Sequence, residues 1–143
     1  MKNSFEIKVY YSDTDSYGVV WHGSYLRWME MGRVELSEEL GLNLKELEAN
    51  DIVLPVVDLN IRYKSSGKLD DTLVVETSIE SMTVNSVTFA QIIKNKSTDK
   101  ICTSASVKIV AINKSGALYR KLPNQLKTGY ETALQNVPSG VLA

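Results

Sequence analysis

The chain has 143 residues, 43% of them hydrophobic, with a formal net charge of −1 and a single cysteine. This length suits one domain able to bury a core of its own, and the near-neutral charge gives no electrostatic footprint for nucleic acid or an acidic membrane surface. The lone Cys102 excludes an internal disulfide framework and suits a reducing compartment.

The N-terminal stretch "MKNSFEIKVYY" lacks the apolar centre of a signal peptide, and no later apolar run is long enough to span a bilayer. The expectation is a soluble, cytoplasmic domain. Phe5, Ile7, Val9 and Tyr11 alternate with Glu6, Lys8 and Tyr10, the signature of a half-buried first strand. From Ser24 to Leu40 the period changes: Tyr25, Met29, Gly32, Leu36 and Leu40 fall on one helical stripe, and Gly41 is placed to stop the helix. "NLKELEAN" (43–50) reads as a short helix capped by Asn43.

Val57, Leu59, Ile61 and Tyr63 then alternate cleanly with polar residues as a second strand. Residues 71–84, 86–96 and 100–113 read as three more strands, the first two meeting at Asn85 and the last preceded by the turn "NKSTDK". Pro123 opens a final helix through about Leu134. Residues 1–135 form a single domain in this reading, and 136–143 a flexible tail. The fold class is α+β: a five-stranded, largely antiparallel sheet wrapped around one long central helix that buries its apolar face.

Chemistry concentrates in "YYSDTDSYGVVWHGSYLRWMEMGRVEL", residues 10–36. Asp13, Asp15 and Gly18 match three positions of a calcium loop, but Tyr17 and Ser24 stand where its fifth and twelfth ligands belong. One histidine and one distant cysteine do not make a zinc cluster, and Cys102, in mid-strand, reads as a small hydrophobe rather than a nucleophile. A carboxylate beside a helix N-terminus remains. Asp15 lies in the loop, and His22 and Gly23 lie where the helix begins and its backbone N–H groups are free to hold an oxyanion. Gly18 allows a tight turn and close approach of a ligand. Turn roles for Asp13 and Asp15, and a packed role for His22, are equally compatible with the residues alone.

This stretch resembles the hotdog-fold 4-hydroxybenzoyl-CoA thioesterase family, closest to its branch of short acyl-CoA thioesterases associated with the Tol–Pal envelope system. The likeness rests on Asp13, Thr14, Asp15, Gly18, Val19, Val20, Trp21, His22, Tyr25 and Arg33, on "IRYKSSGKLDDTLVVET", and on "RKLP" near residue 120. It spans roughly residues 4–130. The resemblance implies hydrolysis of an acyl-CoA to free acid and CoA, with Asp15 as catalytic carboxylate and His22 as oxyanion donor whose side chain assists. It implies no metal or other cofactor. It also implies a homodimer or homotetramer with sites built from both subunits. Histidine rather than another aromatic at position 22 points away from a dedicated 4-hydroxybenzoyl-CoA substrate.

Within that frame Tyr17, Gly18, Trp21, Gly23 and Tyr25 are candidates to line the acyl pocket, and Lys64, Ser65, Ser66 and Lys68 to meet CoA phosphates. Glu30, two turns beyond His22, either faces the same pocket or is a solvated helix charge. A non-catalytic acyl-CoA-binding or scaffold protein of the same fold is the alternative function.

Overall fold

The structure is a computed structural model and describes residues 1–135. The expected tail at 136–143 lies outside them. Five strands, β1 (Lys2–Lys8), β2 (Val56–Tyr63), β3 (Thr72–Met82), β4 (Ser86–Asn95) and β5 (Ile101–Val110), form one sheet in the order β1-β3-β4-β5-β2, every neighbouring pair antiparallel. Three helices accompany it: α1 (His22–Glu39), α2 (Leu44–Ala49) and α3 (Asn124–Gln135). Each element foreseen from periodicity is present. Asn43 caps α2 by accepting the Glu46 N–H at 3.1 Å, and Gly41 (φ +79°) takes the left-handed conformation that ends α1.

The first strand ends earlier than its alternation suggests. The chain leaves β1 after Lys8, and Tyr11–Asp13 form a 3₁₀ turn in which Tyr11 is 80% exposed. A local hydrogen bond outcompetes strand pairing there: the Asp13 carboxylate accepts the Tyr10 N–H at 2.9 Å.

α1 lies chiefly over β1, β3 and β4. Its buried stripe of Tyr25, Trp28, Met29, Gly32 and Leu36 feeds two hydrophobic clusters. Tyr25, Trp28 and Met29 pack with Val9, Val20, Leu73, Val75, Ile93 and Val107 at the N-terminal end. Leu36 packs with Leu47, Ile79, Phe89, Ile109, Leu126 and Tyr130 at the other, where α3 also covers β3. Between them runs a polar seam. Gln91, fully buried on β4, donates to the Met29 carbonyl (2.8 Å) and to Thr77 Oγ1 (2.9 Å), and accepts from Arg33 Nη1 (3.0 Å). Helix and sheet approach so closely here that position 32 must be glycine: a Cβ would collide with Thr77 Oγ1 and come within 3.0 Å of Gln91 Nε2.

β2 is exposed despite its clean alternation. It is a sheet edge, and apart from partly buried Ile61 its residues are exposed, including Val56, Val57, Leu59 and Tyr63. The alternation is real, but α1 does not extend over this side of the sheet.

Candidate active site

The loop between β1 and α1 is held by Asp13. Its carboxylate, 5% exposed, takes the Tyr10 N–H and pairs with Arg27 Nη2 at 2.7 Å; its carbonyl accepts the Trp21 N–H (2.8 Å) and the Ser24 hydroxyl (3.0 Å). Asp13 therefore clamps the first turn of α1 to the loop, and its carboxylate oxygens are both committed. The turn role foreseen for it is present, enlarged by an ion pair across fourteen residues.

Asp15 stands in a different situation. It opens a turn closed by the Gly18 N–H onto the Asp15 carbonyl (3.1 Å), with Gly18 at φ +80°, while Asp15 N–H donates to Val19 O (2.9 Å). Asp15 Oδ1 accepts the Tyr17 N–H at 2.9 Å, and among the described residues Oδ2 has no hydrogen-bond partner. The half-buried carboxylate faces a cavity lined by Val20, His22, Tyr25, Tyr63, Lys64, Ser65 and Ser66.

His22 is the first residue of α1, after an extended Trp21 (φ −64°, ψ 135°). Among the described residues neither its N–H nor that of Gly23 donates a hydrogen bond, as expected of the first turn of a helix. The Ser24 N–H is taken by the Trp21 carbonyl at 2.9 Å. His22, with its free N–H, and the positive end of an eighteen-residue helix thus border the same cavity as Asp15.

The other sequence candidates divide. Lys64, Ser65 and Ser66 line the cavity, although the Ser65 hydroxyl donates to Ile101 O at 2.8 Å. Tyr25 reaches it from the core: it is 2% exposed, its hydroxyl accepts the Gly67 N–H at 3.0 Å, and burial pushes its pKa up to about 12. Tyr17 is 89% exposed and, like Gly18, Trp21, Gly23 and Lys68, is not among the lining residues. The Trp21 ring covers Gly23 so closely that a Cβ there would collide with it, and it lies tilted by 53° with its centroid 5.2 Å from that of the His22 ring. Lys68 meets the loop through its backbone, in a bridge to Val19.

Tyr63, like Val20, lines the cavity without being among the sequence candidates. Its hydroxyl donates to the His22 carbonyl (3.3 Å), and its ring stands edge-on to the His22 ring at 6.4 Å. The only signal was its position as last residue of an alternating strand, directly before the basic turn at Lys64.

A five-stranded antiparallel sheet packed on one long helix, with a carboxylate loop at that helix's N-terminus, defines the hotdog class of α+β proteins. The chain belongs to the Thioesterase superfamily, whose profile matches residues 17–102. It is 45% identical over 75 residues to the putative acyl-CoA thioesterase YneP of Bacillus subtilis, a match spanning 52% of this chain and 54% of that protein. It is 32% identical over 120 residues to the acyl-CoA thioester hydrolase YbgC of Escherichia coli, covering 84% of this chain and 89% of that one. Among solved structures it superposes on a DHNA-CoA thioesterase from Staphylococcus aureus with a TM-score of 0.85 and 26% identity, over 94% of this chain and 91% of the other. The family read from residues 10–36 is the family these likenesses return. Among the described residues no helix is long and apolar enough to cross a membrane, and no group of three or more His, Cys, Asp or Glu is arranged to hold a metal ion.

Proposed function

We propose that the protein hydrolyses acyl-CoA thioesters to free carboxylic acid and CoA. The observation that carries this reading is the Asp15 carboxylate, with one oxygen unengaged, sharing a cavity with His22, whose free N–H opens α1. The names of the relatives YneP and YbgC support it. The thioester carbonyl sits with its oxygen on the His22 and Gly23 N–H groups, which stabilise the charge developing there as the tetrahedral intermediate forms. Asp15 either attacks the carbonyl carbon or takes a proton from an attacking water. The intermediate collapses with loss of CoA thiolate. Lys64 and Ser66, exposed at the rim, suit the CoA phosphates, with Lys68 on the same loop.

The working unit of this proposal is a dimer, alone or paired into a tetramer. β2 leaves one row of backbone donors and acceptors unpaired and carries exposed Val56, Val57, Leu59 and Tyr63. The opposite edge, β1, is studded instead with Lys2, Glu6 and Lys8, which discourage pairing. Antiparallel pairing of β2 with its own copy across a two-fold axis continues the sheet and covers the apolar strip.

Thiol release from a panel of acyl-CoAs, measured on wild type and Asp15→Asn, tests the function. The amide is nearly isosteric but neither base nor nucleophile, so the variant stays folded and loses nearly all turnover. Retention of a tenth of wild-type activity corresponds to only about 1.4 kcal/mol, well below the ~3–5 kcal/mol such a group contributes, and would end the carboxylate mechanism. Absence of turnover with retained CoA binding would favour an acyl-binding scaffold, with Asp15 serving only the turn that its bond to Tyr17 closes.

A further inference from the structure

Tyr63 is mounted rigidly. It closes β2 opposite Thr103 of β5, and just beyond it the Lys64 N–H donates to the Cys102 carbonyl at 2.7 Å. The Ser65 hydroxyl adds a further bond to the same strand, at the Ile101 carbonyl. From this mount the side chain reaches the start of α1. Its ring centroid lies 5.8 Å from that of Tyr25 and 6.4 Å from that of His22. Partial burial pushes its pKa above the ordinary tyrosine value, so the phenol remains a protonated donor across the neutral range.

The hydroxyl has a choice of acceptors and takes an unexpected one. Tyr63 and Asp15 border the same cavity, and Asp15 Oδ2 has no partner among the described residues. The Tyr63 O–H nonetheless donates to the His22 carbonyl, 41 residues away in sequence. That oxygen has two lone pairs, so it can serve the helix ladder and Tyr63 together.

The peptide group is planar, and the His22 carbonyl shares its plane with the Gly23 N–H. The plane before it joins the Trp21 carbonyl to the His22 N–H, and that carbonyl is held by the Ser24 N–H at 2.9 Å. Two planes meet at the His22 Cα. One is held from within the first turn of α1 and the other from β2. With both fixed, the direction of the His22 N–H is fixed. A hydrogen bond accepted at a carbonyl also polarises its peptide group and strengthens the N–H of the same plane as a donor.

We propose that Tyr63 is a positioning residue for hydrolysis: through the His22 carbonyl, its hydroxyl sets the aim and donor strength of the N–H groups that receive the thioester oxygen. The role rests on the thioesterase reading above. Tyr63 itself acts at one remove, through the main chain of α1.

Tyr63→Phe isolates the hydroxyl, because the ring and its neighbours stay. On the acyl-CoA of the panel that wild type cleaves fastest, kcat should fall severalfold to about tenfold, the range of one hydrogen bond. KM and the melting temperature should stay near wild type. A raised KM with kcat intact would mean that the hydroxyl contacts substrate directly, and an unchanged kcat would leave it no role; either overturns the proposal. Infrared spectra of that same ester, labelled with ¹³C at the thioester carbonyl and bound to Asp15→Asn protein, read the donors themselves. Adding Tyr63→Phe should return the carbonyl band part of the way to its free frequency at unchanged affinity. A merely structural role would not move the band, so an unmoved band also overturns the proposal. Tyr63→Phe should cost the same factor in a His22→Ala background, where the main chain is intact; loss of the effect there would assign it to the imidazole instead. A wild type that cleaves no ester of the panel removes the thioesterase reading and this role together, whereas cleavage indifferent to Tyr63→Phe removes the role alone.

Discussion

His22 offers the site two groups, an imidazole and a backbone N–H, and substitution separates them. His22→Ala keeps the N–H and should lower kcat by about tenfold to a few hundredfold, the range of an assisting acid–base group. His22→Pro removes the N–H as well. It should fold, since position 22 opens the helix and Trp21 before it is already extended, the conformation a following proline requires. Its activity should therefore fall below that of the alanine variant while its circular dichroism is retained. Equal activity of the two would remove the oxyanion role. Tyr25 gives a pH dependence. Its folded pKa is raised to about 12 from 10, chiefly by burial, so its contribution to stability is complete below pH 10 and is lost as pH rises toward 12. Cys102 and Tyr130 are raised in the same direction by burial. Urea midpoints should drop over pH 10–12, and the drop should be smaller in Tyr25→Phe. The place of Asp15 beside the start of α1 was legible because residue type and spacing are local facts. Tyr63 was not, because its bond to His22 depends on where the sheet carries β2.

At the scale of elements, α1 is specified by its stripe and positioned by Gly32. Gly32→Ala improves helix propensity by about 1 kcal/mol, yet its methyl enters the space of Thr77 Oγ1 and Gln91 Nε2, an overpacking that costs roughly 1–3 kcal/mol. The net expectation is a lower denaturation midpoint, with the larger loss if Gln91 gives up its bond to Met29. A midpoint at or above wild type would show that the seam yields without cost. Periodicity located all five strands and all three helices because each has one face against a core. It misjudged the end of β1, where a single carboxylate captures the Tyr10 N–H and redirects the chain. It also left open that β2 lies exposed at the sheet edge. An alternating strand reports that one face is meant to be covered, and it is silent on whether the cover belongs to the same molecule.

For the whole molecule, that uncovered strand is the decisive feature. Leu59→Lys sets a charge at mid-strand, where two copies would meet, and should give a monomer by light scattering at micromolar concentration with unchanged circular dichroism. Hydrolysis should fall with it, because the working unit of the proposed function is a dimer. A Leu59→Lys protein that remains dimeric would place the interface elsewhere.

The polar seam of Gln91, Thr77 and Arg33 divides the interior into two packed halves that share only the sheet and α1. The carboxylate loop rests on one half. A cavity beside Arg33, walled by Phe89, Ile109 and Tyr130, rests on the other. Substitutions far enough apart to touch no common neighbour act almost independently on stability. Such a division lets substitutions accumulate around the Arg33 cavity with little effect on the packing beneath the carboxylate loop. A lineage built on this chain can thus remodel one half of its interior by small steps while the loop on the other half keeps its shape.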